Sequence, residues 1–265
     1  MMTRLGLGLL WLLHWLPLPV LAALGRALGA LGYAVVRGRR RVAEVNLESC
    51  FPQWSEAERR RVARRHFQAL ARSALELGIL WWGSKERVQR LGRIEGLENW
   101  DAVRDRPVML LAPHFIGFDF GGTRIATEWA GCSMYRQQSN PVMDRMLLHG
   151  RSRFIEQRLF SRKDGIRPLL RAMQEGRCFY YLPDQDFGPR DSIFVPFFGV
   201  PAATITGVSR IARLARAAVV PAVTRQLPGV GGYVLTFYPA WRDFPTDDEA
   251  GDTRRVNEFI EQRVL

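Results

Sequence analysis

Lysine is almost missing from this chain of 265 residues. Of its 38 basic residues only Lys85 and Lys163 are lysines, and the remaining 36 are arginines. Set against 26 acidic residues, they give a formal net charge of +12. Because the planar guanidinium makes paired contacts to phosphate and carboxylate, this excess predicts an anionic partner. Nucleic acid, anionic lipid and an acidic carrier protein all fit that description.

Cysteine is scarce too. Cys50, Cys132 and Cys178 are odd in number and do not have the spacing of metal ligands. This argues against a disulfide framework and a zinc site, and it fits a reducing compartment. The hydrophobic fraction of 47% is ordinary for a globular protein, and the length suggests one or at most two domains.

Formal charge is absent from residues 5–24, an apolar run just long enough to cross a hydrocarbon core of about 30 Å. Pro17 and Pro19 interrupt the run, so a helical hairpin in one leaflet is an alternative, and a cleaved signal peptide is another. The arginines of "VRGRRR" follow it and predict that the main body is cytoplasmic. We therefore predict a membrane-associated segment at 1–36 and a main domain at 37–265. The end, "VNEFIEQRVL", carries no helix stop, as expected of a truncated chain.

A long helix is predicted after residue 55. Ser55 and Glu58 form a capping-box pattern, and apolar residues then recur at helical spacing. They are Val62, Phe67, Leu70, Ala74, Leu77 and Trp81, with arginines on the other face.

Short apolar runs alternate with helical patterns after residue 106. Strands are predicted at 107–113, 178–183, 217–223 and 232–239, and helices at 164–176 and 203–217. The first three strands are apolar throughout, as in sheets covered on both faces. This alternation predicts an α/β fold with a largely parallel central sheet flanked by helices.

A histidine and an acid follow the first of these strands in "LLAPHFIGFDFGG". Open α/β sheets bind ligands at the carboxyl ends of their strands, where His114 falls. With a helix starting near Ile116, we expect the Asp119 carboxylate to reach one imidazole nitrogen and leave the other free as a base. A capping histidine and a solvent-facing aspartate are the structural alternative.

A second polar cluster follows the strand at 178–183. Asp184 and Asp186 lie at its carboxyl edge with Arg190 close behind. The two carboxylates suit a metal, arginines or a hydroxyl-rich substrate, and we rank the metal lower because no further ligand set accompanies them. The apolar "IFVPFFG" beside them suits a long hydrocarbon, or is ordinary core.

Residues 134–167 are dense in arginine. Two or three of them are expected to hold phosphates while the rest form a solvated surface. The candidates are Arg136, Arg151, Arg153, Arg162 and Arg167.

The ordered motifs "APHFIGFDF", "MYRQQSNPVMD", "SRKDGIR", "YYLPDQDFGPR" and "IFVPFFGVPAATITG" closely resemble those of the lipid A biosynthesis lauroyl/myristoyl acyltransferases. These belong to the wider glycerolipid and lysophospholipid acyltransferase group with its H-x4-D/E pattern. The resemblance spans residues 35–265. The family's usual extension beyond this end, with a Pro-Glu-Gln-Tyr type motif, is absent here.

The resemblance implies an enzyme on the cytoplasmic face of the bacterial inner membrane, in contact with membrane lipids. It would transfer a fatty acyl chain from acyl carrier protein to a hydroxyl of a 3-hydroxyacyl chain on an anionic Kdo-lipid A precursor. No cofactor beyond the carrier thioester, and no covalent acyl-enzyme, is implied. His114 matches the general base and Asp119 its orienting carboxylate. The implied substrate-binding residues are Arg162, Asp184, Asp186, Arg136 and Arg190.

Three alternatives remain open. The acceptor can be a lysophospholipid, an ornithine lipid or another glycolipid. The chain can be a basic binding protein at a membrane, although no RNA- or DNA-binding motif supports a nucleic-acid partner. It can also be a metal-dependent lipid hydrolase, which chelator sensitivity and release of free fatty acid would reveal.

Overall fold

The computed structural model describes residues 1–185, 188 and 192–264. The helices are α1 (Met2–Leu13), α2 (Leu18–Val35), α3 (Arg37–Cys50), α4 (Glu56–Trp82), α5 (Lys85–Arg90), α6 (Leu97–Asp101), α7 (Phe118–Ala126), α8 (Pro141–Ser152), α9 (Arg167–Gln174), α10 (Gly207–Ala215) and α11 (Glu249–Val264). The strands are β1 (Gly92–Glu95), β2 (Val108–Leu111), β3 (Gly131–Tyr135), β4 (Gln157–Ser161), β5 (Cys178–Tyr181), β6 (Ser192–Phe197), β7 (Val200–Ile205), β8 (Ala218–Gln226) and β9 (Tyr233–Phe237).

The central sheet has the strand order β1-β9-β8-β2-β5-β3-β4. Its neighbours pair in parallel except β8 and β9, which are antiparallel. β6 and β7 form a separate antiparallel hairpin. The predicted α/β class with a largely parallel sheet is therefore confirmed.

Successive side chains of β2 point to opposite faces of the sheet and enter two different cores. Met109 and Leu111 pack with α9, α10 and α11, whereas Val108 and Leu110 pack with α6 and α7. All four β2 residues are buried, as are those of β5. The continuous apolar runs in the sequence thus reflect burial on both faces.

Five strands were not predicted from the sequence: the hairpin strands β6 and β7, and three strands of the central sheet that lack long apolar runs. β1 reads "GRIE", β3 "GCSMY" and β4 "QRLFS", and each is only partly buried. The helix predicted over 203–217 is also wrong at its start. Its first residues belong to β7, where Ala203 pairs with Phe194, and α10 begins at Gly207.

The amino-terminal layer, α1–α4, covers the α7 side of the molecule. α2 lies on α4 through glycines: a Cβ on Gly25 would lie 2.4 Å from the Arg72 Cα, and one on Gly29 would lie 2.3 Å from the Gln68 Cα. Only glycine permits this approach of two helix backbones. Among the described residues, α2 is the one helix that is long and apolar enough to cross a membrane, judged by length and composition.

The long helix predicted after residue 55 is confirmed as α4. The Ser55 hydroxyl accepts from the Glu58 N–H, and the Glu58 carboxylate accepts from the Ser55 N–H at 2.8 Å. The buried and exposed faces of α4 differ from the prediction of an apolar face with arginines opposite, since Leu70 is exposed and Arg72 is buried. Arg72 is buried because its guanidinium binds Glu76 at 2.7 Å and the carbonyl oxygens of the β8–β9 loop.

Candidate functional site

His114 lies at the carboxyl edge of the sheet, three residues after β2 ends. The chain is still tied to the sheet at Ala112, whose N–H donates to the Tyr181 carbonyl oxygen at 2.8 Å. β2 and β5 are parallel neighbours, so the residues that follow each strand meet at this edge. The position predicted for His114 is therefore observed.

Gly117 separates His114 from α7. Its φ of +111° is a conformation that side-chain-bearing residues rarely adopt, and a Cβ there would lie 2.9 Å from the Tyr233 ring. α7 consequently starts at Phe118, two residues later than the helix expected near Ile116. His114 lies outside the helix, and Asp119 lies in its first turn.

Asp184 holds His114 at two points. Its Oδ2 accepts the backbone N–H of His114 at 2.8 Å, and its Oδ1 lies 2.7 Å from the ring Nδ1. The two side chains are 27% and 23% exposed, respectively, so the pair is partly shielded from water. Because an ionised carboxylate only accepts hydrogen bonds, the contact places the proton of the neutral ring on Nδ1. Nε2 is thereby left with its lone pair.

Asp119 does not contact the imidazole, and the predicted His114–Asp119 hydrogen bond is wrong for this structure. Its Oδ1 instead accepts from Arg151 Nη2 at 3.2 Å. The physical reason is the non-helical turn at Gly117, which takes Asp119 away along α7 and toward α8. The carboxylate on His114 comes from the neighbouring strand end, not from the same motif.

An open cavity of about 650 Å³ lies beside His114. This volume is within the range of roughly 300–1,000 Å³ that is usual for small-molecule sites. We call it the carboxyl-edge cavity. Its apolar lining is contributed by Phe118, Met134, Leu147, Ile166, Leu182, Ile205, Ile211 and Leu214. Arg136, Arg151 and Arg210 bring positive charge to the same wall.

Tyr180 packs beneath this edge with its hydroxyl donating to the Phe118 carbonyl oxygen at 2.9 Å. Burial, together with the nearby Asp119 charge, raises the pKa of Tyr180 above its ordinary value. The hydroxyl therefore stays protonated near neutral pH and fixes the start of α7 as a hydrogen-bond donor.

The substrate-binding candidates have different outcomes. Asp184 is at the site, but it contacts His114, whereas its predicted role was to bind substrate. Arg136 is exposed on the cavity wall. Asp186 and Arg190 lie outside the described residues, as does the side chain of Arg162. Their predicted roles stay predictions.

Two residues at the cavity were missed from the sequence. The Gln185 side-chain nitrogen lies 3.0 Å from His114 Nε2. Arg210 lines the cavity from α10. Gln185 had a signal, since it stands directly beside Asp184 in the motif, but Arg210 had none beyond its position four residues before Leu214 in a helical pattern.

The surroundings of Asp184 bear on whether this cluster could hold a metal ion. Within the residues that the structure describes, no group of three or more His, Cys, Asp or Glu side chains is arranged to hold a metal ion. Asp184 is instead engaged with the backbone and the ring of His114.

The His114–Asp184 pair thus lies at the edge where open α/β sheets bind ligands, beside an apolar cavity with arginines in its wall. Comparison with known proteins identifies the family. The family model for the bacterial lipid A biosynthesis acyltransferase matches residues 1–265, and the chain belongs to this family. It is an acyltransferase of lipid A biosynthesis, as the resemblance implied.

Several curated relatives from Escherichia coli K12 are similar to the chain. The lipid A biosynthesis lauroyltransferase is 34% identical over 100% of this chain and 87% of that protein. The palmitoleoyltransferase is 32% identical over 100% and 86%. In three dimensions, the 1-acyl-sn-glycerophosphate acyltransferase of Thermotoga maritima aligns with a TM-score of 0.42 and 16% identity over 93% of this chain and 95% of that one. So distant a likeness carries no argument about the site.

Proposed function

We propose that this protein transfers a fatty acyl chain from an acyl carrier protein thioester to a hydroxyl of a 3-hydroxyacyl chain on a Kdo-lipid A precursor. The observation that carries the proposal is the His114–Asp184 pair, with the Nε2 edge of the ring at a cavity whose wall is both apolar and basic. Family membership supports acylation in lipid A biosynthesis, and the acyl carrier protein donor and the Kdo-lipid A acceptor are our proposal beyond it.

His114 Nε2 acts as the general base. An alcohol is a weak nucleophile at neutral pH, so its proton must leave as its oxygen attacks the thioester carbonyl. Nε2 takes that proton, the C–S bond breaks, and the carrier thiol leaves with the proton. Asp184 is the positioning residue, because it holds the tautomer and stabilises the imidazolium that forms.

The cavity suits an amphipathic anionic substrate. Its aliphatic and aromatic lining suits hydrocarbon, and its three arginines suit phosphate or sugar carboxylate. Relatives named for lauroyl and palmitoleoyl transfer match this chain at 34% and 32% identity, so overall similarity does not select an acyl length. We propose that the depth of this cavity selects it, with each methylene worth about 1–3 kcal/mol.

Membrane attachment is proposed to occur through the amino-terminal layer, with the enzyme on the cytoplasmic face of the inner membrane. α2 turns a glycine stripe toward α4 and an apolar stripe outward, where Leu28 and Leu31 are 50% and 58% exposed. Exposed arginines at Arg37 and Arg39 follow α2 and suit anionic headgroups. The orientation follows from the position of these arginines after the apolar helix.

The test is an acyl-transfer assay with detergent-solubilised protein, a panel of acyl carrier protein thioesters and the tetra-acylated Kdo-lipid A precursor. Mass spectrometry of the acceptor should show a gain of one acyl group. His114→Ala should reduce the rate by about 10²–10⁴-fold, the range that a general base usually contributes. Its thermal unfolding should match that of the starting protein.

The control acceptors are a lysophospholipid, an ornithine lipid and a glycolipid without Kdo. Acylation of one of these in preference to the precursor would refute the acceptor assignment and keep the acyltransferase chemistry. Full activity of the His114→Ala variant would refute the general base. Transfer from acyl-coenzyme A alone, with none from the carrier thioester, would refute the donor.

A further inference from the structure

His114 Nε2, the proposed acceptor of the hydroxyl proton, already has a hydrogen-bond partner in this structure. His114 Nε2 lies 3.0 Å from the side-chain nitrogen of Gln185. Because Asp184 Oδ1 accepts from Nδ1, Nε2 carries the lone pair and the amide NH₂ donates to it. The reversed amide would set a carbonyl oxygen against that lone pair, so the chemistry of the neighbouring carboxylate determines the orientation of Gln185.

The position of Gln185 allows the contact to open without disturbing the base. Gln185 is an exposed residue on the wall of the carboxyl-edge cavity. Asp184, its neighbour in the chain, is held at two points by His114. A rotation of the Gln185 side chain therefore clears Nε2 while Asp184 keeps the ring in place.

We propose that Gln185 is a specificity-determining cap that makes the base available to an acceptor hydroxyl in preference to water. This rests on the proposed acyl transfer from a thioester. Nε2 is the atom to which any nucleophile must give its proton. A bound acceptor, held by the cavity, displaces the amide by presenting its hydroxyl there at high effective concentration. A single water has no such anchoring.

The reaction that the cap suppresses is hydrolysis of the donor. Water would attack the thioester carbonyl and give its proton to Nε2. The C–S bond would break, and the thiol would leave with that proton, so the products are a free fatty acid and the carrier thiol. Both transfer and hydrolysis use the same base, so the cap changes their ratio and not the mechanism.

The first test does not use activity. Diethyl pyrocarbonate acylates an accessible imidazole nitrogen, and peptide mass spectrometry reads the extent at each histidine. With no substrate present, His114 should react about three- to tenfold faster in Gln185→Ala than in the unchanged protein, the range set by the loss of one neutral hydrogen bond. Exposed His149 in the same digest is the internal reference. Gln185→Asn, whose amide is one methylene shorter, should behave like the alanine variant.

The second test measures fatty acid released from the acyl carrier protein thioester without acceptor, and acyl transfer with acceptor. Gln185→Ala should raise hydrolysis about three- to tenfold and increase the ratio of hydrolysis to transfer. The matched control is Gln174→Ala, because Gln174 is also an exposed glutamine whose amide donates a hydrogen bond, to the Ala215 carbonyl oxygen at 2.9 Å, but it does not line the cavity. It should not raise hydrolysis.

The outcomes separate the cap from the proposed function. Faster modification of His114 by diethyl pyrocarbonate, together with raised hydrolysis of the thioester, supports the cap. Unchanged modification of His114 by the reagent in Gln185→Ala overturns the cap. Faster modification without raised hydrolysis overturns it too, because the contact would then not restrain water. A protein that shows the histidine effect yet transfers no acyl group to any acceptor refutes the proposed function alone.

Discussion

The amino-terminal layer and the carboxyl edge of the sheet are held together in opposite ways. In the layer, α2 meets α4 through glycines, with backbone against backbone. At the edge, polar contacts join two pairs of side chains from different chain segments: His114 with Asp184, and Asp119 with Arg151. One region depends on shape, and the other depends on charge and hydrogen-bond direction.

This difference determines how each region responds to substitution. Two helix backbones in contact tolerate no added side chain, because interiors are close-packed and relax little. A polar pair can keep its shape and still fail, because an isosteric amide has a donor where an acceptor is needed. The layer is therefore sensitive to volume, and the edge is sensitive to the identity of single atoms.

The largest expected contrast is in cysteine reactivity. Burial raises the pKa of Cys178, at the start of β5, to about 12, whereas Cys50 at the end of α3 is only partly buried and its pKa is raised less strongly. Because the thiolate is the reacting species and buried Cys178 must also be exposed by local opening, we expect maleimide to label Cys50 about a thousandfold faster at pH 7.5. Peptide mass spectrometry measures both sites in one sample. Comparable rates would mean that the sheet opens as readily as the layer.

Asp184→Asn should lower acyl transfer about 100-fold, because an amide offers one acceptor oxygen where His114 presents two donors and the base tautomer is no longer enforced. The rate is measured with saturating donor and acceptor. Thermal unfolding of the same preparation is the control for folding. A variant with near-normal turnover would remove Asp184 from the mechanism.

Gly29→Val should destabilise the fold by about 2 kcal/mol, roughly a thirtyfold change in the unfolding equilibrium, since its Cβ would lie 2.5 Å from the Phe67 carbonyl oxygen. Chemical denaturation measures the change. Gly32→Ala is the matched control, because a Cβ there lies 3.7 Å from the Phe67 ring in ordinary contact. Equal stability of the two variants would show that α2 is not held to α4 as described.

The smallest effect is expected at Asp119. Asp119→Asn removes the charge that pairs with Arg151 at 3.2 Å but leaves the Asp184 contact to the imidazole intact. We expect a loss of about tenfold in kcat/KM, as for other charge pairs that position a binding residue. A loss as large as that of Asp184→Asn would show that Asp119 takes over His114 during turnover. The comparison of the two variants in one assay decides between them.

The sequence predicted much of the fold because many signals were local. The capping box at Ser55 and Glu58, and the apolar runs of β2, β5 and β8, depend on residues within a few positions of each other. The short strands β1, β3 and β4 were not predicted from the sequence, because their burial comes from neighbours far along the chain. The same reason explains Leu70 and Arg72, whose places on α4 are set by α2 and the β8–β9 loop.

At the site, residue type and strand-end position predicted that His114 and Asp184 lie at the carboxyl edge of the sheet, and both are found there. The predicted contact between His114 and Asp119 was wrong. The pairing was decided by three-dimensional proximity. Asp184 is 70 positions from His114 and reaches it because β5 runs parallel to β2, while the turn at Gly117 directs Asp119 to Arg151. Spacing along a chain constrains partners only within a continuous helix or strand, and here the backbone leaves regular structure between the two residues of the motif.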